Sequence, residues 1–206
     1  MRERKKLIFM TALMIAGCTS IKTITLLNYS VQISFFENSA KYYPNNKLNT
    51  CKLSESANLN GHNCISWLHF FENGLIKQFQ TAGDIKLANY TIPSGSVIFY
   101  NEQKPDNIKH ISFSKDIVID SIKCKSGGNI LTEFYDNNRL NSCFLTENQK
   151  IQGFPCLSSV FKPVYFYPNG KIKQLTLSAD SKYVGTIYKK GESIIIDEQG
   201  IISRDK

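Results

Sequence analysis

The sequence predicts an all-β chain, an antiparallel meander of β-hairpin repeats in units of roughly 30 residues. Three observations carry this. A phrase of two aromatics, a turn rich in Asn and Gly and an apolar-rich strand recurs along the chain, which is a hairpin signature. Beyond residue 18 no stretch sustains helical periodicity over a dozen residues. The 206 residues are 42% hydrophobic and 20% charged, enough to bury a core and too apolar for a disordered chain. No window of about 20 uninterrupted apolar residues exists, so a multi-span membrane protein is excluded.

The first element is an address, residues 1–17. Met1 to Lys6 form a basic head, Leu7 to Ala16 an apolar stretch, and Gly17 and Cys18 follow. Such a stretch rises only about 15 Å as a helix, half of a bilayer's hydrocarbon, so it reads as an export signal and not as a span. Its end, Ile15-Ala16-Gly17-Cys18, resembles the lipobox of bacterial lipoproteins. The resemblance implies an acylated Cys18 as first residue of the mature chain, with the lipid bilayer as partner through that residue. It also implies a cell-envelope location, and Thr19 in place of Asp resembles the outer-membrane pattern, periplasmic or surface face left open. The alternative is an ordinary secretory signal with an incidental Cys18. Removing Arg2, Glu3, Arg4, Lys5 and Lys6 leaves +5 of the formal +8. That mild excess, without basic runs, argues for a solvated surface and against a nucleic-acid partner.

Residues 18–40 read as a lipidated N-terminus with a degenerate first repeat, Ile21-Lys22-Thr23-Ile24, and residues 41–206 as the β-repeat domain. The hairpin phrase appears at Tyr42-Tyr43-Pro44-Asn45-Asn46, Phe70-Phe71-Glu72-Asn73-Gly74, Phe134-Tyr135-Asp136-Asn137-Asn138 and Phe166-Tyr167-Pro168-Asn169-Gly170. The copy at Phe99-Tyr100 carries three extra residues near Pro105-Asp106, and a degenerate copy closes at Ile196 to Ile202. Taking the aliphatic residue after each turn as origin, units begin at 21, 48, 76, 108, 140, 172 and 202. Two-residue type I′ turns and about three strands per unit are expected, stacked lengthwise. A small propeller is the runner-up fold.

Phe-Tyr-x-Asn-Gly-x-Ile-Lys, repeated along a β meander, resembles the variant MORN repeat of bacterial proteins, over roughly residues 41 to 202. The resemblance implies the repeat fold. Some members are antitoxin components, so an antitoxin-like role is a further alternative, though an export signal fits a cytoplasmic toxin partner badly. The unit here is longer than the MORN spacing, and the Gly-x-Trp/Tyr phrasing is mostly missing.

Cysteines fall on two columns, three and sixteen residues after the origin: Cys51 with Cys64, and Cys143 with Cys156, while Cys124 stands alone. Export permits oxidation, so bridges Cys51–Cys64 and Cys143–Cys156 are expected, against the plain reading of buried free thiols. A metal site from His62, Cys64 and His69 lacks the usual short, regular ligand spacing, and none is expected. The three histidines, His62, His69 and His110, sit in no recognisable catalytic motif. No catalytic residue and no cofactor is expected. The second turns place Asp84, Asp116 and Asp180 where Asp bonds its own backbone.

The aromatic pairs are the binding candidates. Strand alternation puts Phe70, Phe99, Phe134 and Phe166 on one face and Phe71, Tyr100, Tyr135 and Tyr167 on the other. The second set would offer rings and hydroxyls to a protein, peptide or glycan partner, or else form a ladder that stabilises the sheet. The function expected is a membrane-anchored binding module of the bacterial envelope, with a purely structural lipoprotein as the alternative.

Overall fold

The computed structural model describes residues 20–205, apart from 60, 88, 105, 106 and 129. The signal segment and Cys18 lie outside the described residues. Among these residues the chain is all-β, with two short 3-10 turns, Leu27–Tyr29 and Glu37–Ser39, and no α-helix. The strands run β1 (Ile21–Leu26), β2 (Val31–Phe36), β3 (Lys41–Tyr42), β4 (Leu48–Lys52), β5 (Ala57–Leu59), β6 (His62–Phe70), β7 (Ile76–Thr81) and β8 (Ile85–Lys86). Next come β9 (Thr91–Ile92), β10 (Val97–Tyr100), β11 (Ile108–Ser112), β12 (Ile117–Ile119), β13 (Ile122–Cys124), β14 (Thr132–Phe134), β15 (Leu140–Cys143) and β16 (Gln149–Ile151). The chain ends with β17 (Phe154–Cys156), β18 (Val164–Phe166), β19 (Ile172–Thr176), β20 (Ser181–Tyr183), β21 (Thr186–Tyr188), β22 (Ser193–Ile196) and β23 (Ile202–Arg204).

The units that begin at 76, 108, 140 and 172 contribute four strands each, while the one at 48 contributes three, its long β6 serving two pairings. Two of each four join a 13-stranded antiparallel sheet in the order β23-β22-β19-β18-β15-β14-β11-β10-β7-β6-β4-β3, with β5 pairing β6 off this path. The other two form a small cover hairpin, such as β12 with β13 or β16 with β17. The sheet stays open, so the propeller is excluded. Two strands can hide only one face; the cover hairpin supplies the missing layer. Its inward residues, Ile119, Ile122 and Cys124, join Ile98, Ile111 and Phe79 of the sheet in one buried cluster.

Cover hairpins are stitched to the next unit by single bridges, Cys124 to Leu145 and Cys156 to Leu177. Phe35 to Leu53 is the same bridge at the N-terminus. The hairpin β1–β2 is therefore a cover hairpin without a sheet pair of its own, and it shields Leu53 (5% exposed). The second-turn acids close the bases of the cover hairpins. Asp84, Asp116 and Asp180 accept amides ten residues on, from Ser94, Ser126 and Lys190, at 2.8–2.9 Å. These bonds span the hairpin instead of curling back on the local backbone, and Asn148 makes the same bond to Ser158.

The aromatic turns are not type I′. Tyr167 donates its amide to Lys171 and its carbonyl accepts from Gly170, so Pro168 and Asn169 are the turn centre and Gly170 is a left-handed bulge (φ 84°). One positive φ is needed instead of two, which explains why Pro fits at the first central place. The recurring Asn locks the turn from the side, because its side chain accepts the amide two residues on, at Lys47, Leu75, Arg139 and Lys171.

The third copy is out of register with the expected alignment. Tyr100 pairs with Ile108 as Phe134 pairs with Leu140, so Tyr100 belongs to the inner column, stacked 6.0 Å from Phe79. Asn101 takes the outer place, and its amide reaches Asn107, two residues further than in the other turns. The insertion is thus two residues, and it displaces Phe99 to the opposite face.

Candidate functional site

The expected strip of Phe71, Tyr100, Tyr135 and Tyr167 is not a free surface. Phe71 is buried (7% exposed), and Tyr100 faces the inner layer. Tyr135 and Tyr167 donate their hydroxyls to the carbonyls of Phe166 and Ile196 in the next unit, at 2.7 and 3.0 Å. Tyr43 does the same to Phe70. These hydroxyls join neighbouring turns, as in the stabilising ladder.

The cysteines are corrected too. All five, Cys51, Cys64, Cys124, Cys143 and Cys156, are buried free thiols. The bridges Cys51–Cys64 and Cys143–Cys156 do not form, because the register sets the thiols against other partners. Cys51 stands opposite Leu68, and Cys64 stands opposite Ala57 and Thr81. Cys143 interacts most strongly with Cys124 of the preceding cover hairpin; that contact, burial and nearby Cys156 hold its thiol well above the ordinary range. Burial alone pushes Cys51 up to about 12. Cys64 rises to about 12 and Cys156 to about 11 by burial, partly offset by backbone hydrogen bonds. His62 stacks on Phe79 while His69 lies on the outer sheet face. Among the described residues no group of three or more His, Cys, Asp or Glu is placed to hold a metal.

What the fold does assemble is a row on the uncovered face of the large sheet. Cross-strand register runs Thr50, His69, Gln78, Phe99, His110, Glu133, Ser142, Tyr165, Gln174 and Ile195, one residue per strand. At about 4.8 Å between strands the row is roughly 40 Å long. Trp67, 43% exposed, flanks it opposite Lys52, with its ring 6.5 Å from His69. The rings of Phe99 and His110 meet edge to face at 6.0 Å.

The centre of the row is polar and held. Glu133 Oε2 accepts from the Ser142 hydroxyl at 3.1 Å and the Asn141 amide at 3.5 Å. Its other oxygen lies 3.8 Å from His110 Nδ1, beyond hydrogen-bond length, and among the described residues that nitrogen has no hydrogen-bond partner. Burial draws the His110 pKa below its ordinary value, Glu133 opposing and Lys109 adding to it. His69 is lowered by burial and then by Lys77. Both imidazoles are therefore neutral at pH 7 and can donate and accept. Thr50 and Ser142 are buried within the row, so what it presents are the rings of Trp67, Phe99 and Tyr165 with the amides and imidazoles between them, a spacing that suits an extended ligand laid across the strands.

Sequence reasoning missed Trp67, His69, Gln78, His110, Glu133 and Tyr165 as site residues, and placed Phe99 on the inner face. The signal was present. Gln78, His110 and Gln174 share one place two after the origin, and Glu133 and Tyr165 share the place before the aromatic pair. These are the polar beats of an inside–outside alternation. Two cavities lie away from this face. One of 330 Å³ is lined by Ile24, Leu26, Leu27, Leu48 and Phe70, and one of 220 Å³ by Asp120, Ile122, Arg139, Lys150 and Gln152; no histidine lines either. Comparison with family models, curated proteins and solved structures finds no match, so the site stands on its own geometry.

Proposed function

We propose that the chain is a lipid-anchored binding module of a bacterial envelope, and that the uncovered face of its large sheet takes an extended peptide or glycan. The single observation that carries the reading is the row from Trp67 and His69 to Tyr165. It leaves three large rings and several hydrogen-bonding groups outward, on a face no cover hairpin occupies. A merely structural sheet has no need of them there, and lysine or threonine would keep such a face soluble. Placement on a rigid sheet also lowers the ordering cost of binding. The anchor part of the reading rests on the lipobox resemblance ending at Cys18.

The test is photo-crosslinking in the native cell. A photoreactive residue at Phe99, in the middle of the row, is expected to give discrete adducts. The same residue at Val118, exposed on the cover layer (56%), is expected to give none of these. Substituting Trp67 and Tyr165 by Ser should remove the Phe99 adducts without changing the melting temperature by more than a few degrees. Adducts that survive this pair, or identical patterns from both positions, would favour the structural reading instead.

A further inference from the structure

We infer that the N-terminal end of the repeat row is a seat for the bilayer headgroup region; this deepens the lipid-anchor reading and rests on it. That end is formed by the two terminal strands, β1 of the cover layer and β3 of the large sheet. It leaves apolar side chains in water: Leu27 is 86% exposed, Ile21 61% and Tyr42 47%. Leu27 stands at the rim of the 330 Å³ apolar cavity, with Lys47 also on its lining.

Charge fits the same partner. Between residues 20 and 47 the charged side chains are Lys22, Lys41, Lys47 and Glu37, a net positive end. The one carboxylate, Glu37, is engaged by the Ser20 hydroxyl at 2.8 Å. Lys22 Nζ lies 5.9 Å over the Tyr42 ring, a pairing of amphipathic ring and cation suited to an interface that is apolar below and wet above. Exposed aliphatics, a ring and lysines together are the composition of a surface that beds a few ångströms into headgroups.

Chain length then keeps that end close to the bilayer. Only Thr19 separates Cys18 from Ser20. At about 3.5 Å per residue an acylated Cys18 holds Ser20 within roughly 10 Å of the lipid surface. The far end of the row also exposes apolar groups, with Val184 at 99%, but no such tether draws it down. With the N-terminal end seated, the row of Trp67 to Tyr165 rises away from the bilayer.

The experiment uses the full chain purified from membranes and reconstituted in phosphatidylethanolamine–phosphatidylglycerol vesicles, plain or brominated at shallow acyl positions. Trp67→Phe removes the single tryptophan, and Leu27→Trp or Val184→Trp installs one reporter at either end. Intact mass is read first. On an acylated chain, brominated lipid should dim Leu27→Trp about threefold and leave Val184→Trp nearly unchanged. Equal quenching at both ends means the row lies flat. A blue-shifted but unquenched Leu27→Trp means a second protein copy covers the end, and a water-like one means it stands clear. Each of these three overturns the seat and leaves the anchor intact, whereas an unacylated mass removes the anchor and the seat together.

Discussion

Tyr135 and Tyr90 predict opposite outcomes for the same substitution. The Tyr135 hydroxyl bonds the Phe166 carbonyl at 2.7 Å, so Tyr135→Phe leaves a half-buried acceptor unmet and should cost about 1 kcal/mol. The Tyr90 ring stacks 5.5 Å from Phe134, while its buried hydroxyl finds no partner among the described residues. Tyr90→Phe should therefore be neutral or stabilising by up to about 1 kcal/mol; urea unfolding of the pair measures both signs. The thiols carry the pH dependence. Their folded pKa values, about 11 to 12 for Cys51, Cys64 and Cys156, lie above those of an unfolded thiol, so the folded state keeps protons that the unfolded state loses. Their contribution is whole below about pH 8.5 and is lost as pH rises toward 12. A thiol reagent at pH 8 should label none of the five in the folded chain and all of them in denaturant. The sequence made the cysteine columns legible but not their connectivity. Thirteen residues separate the members of each pair, and only the fold shows which partners they meet, Leu68 for Cys51, Thr81 for Cys64 and Cys124 for Cys143.

At the scale of the hairpin, the turn makes its own comparison, because Asn46 and Asn138 sit where Gly170 sits, at φ 63° and 59° against 84°. An added Cβ at Gly170 meets nothing closer than the Arg139 guanidinium at 3.7 Å, so the cost of substitution is backbone strain alone. Gly170→Ala should lose about 1 kcal/mol, and Gly170→Asn less than half of that, because Asn tolerates the left-handed region. At Gly74 the same Cβ would lie 3.1 Å from Asn28 Nδ2, so Gly74→Asn should cost more than Gly170→Asn. Denaturation midpoints of the three variants give the order. The hairpins themselves were readable from the aromatic–Asn–Gly phrase. Their turn type was not, since Asn-Gly serves both a two-residue turn and a bulged one. Pro168 was the discriminating residue, because a type I′ turn centred on Asn169 and Gly170 needs an amide donor at the residue before them, and proline has none. The slip at Tyr100 has a similar origin: Phe99 and Tyr100 are both aromatic, and only the added length of the Asn101–Asn107 turn decides which of them faces inward.

Across the whole molecule, neighbouring units meet through a strand pair of the sheet, reinforced at some junctions by a bridge such as Cys124 to Leu145 and a tyrosine hydroxyl such as that of Tyr135, so stability should be close to a sum of units and interfaces. The 32-residue spacing of the origins at 108, 140 and 172 makes this testable by removing residues 140–171. The deletion joins Arg139 to Ile172, which preserves every inward and outward place, brings Leu175 to the position of Cys143 and leaves Cys124 facing Leu177 in place of Leu145. The shortened chain should fold, with unchanged β-type circular dichroism and a urea m-value lower by about a sixth, in proportion to the surface removed. Removing one residue fewer, 140–170, would put Lys171 at the inward place of Leu140 and reverse the alternation of that strand, so this variant should fail to fold cooperatively. If both deletions unfold alike, the units are not interchangeable and the chain is one indivisible core. If both fold alike, the two-column alternation that places Trp67, Gln78, His110 and Tyr165 on the open face does not govern the sheet.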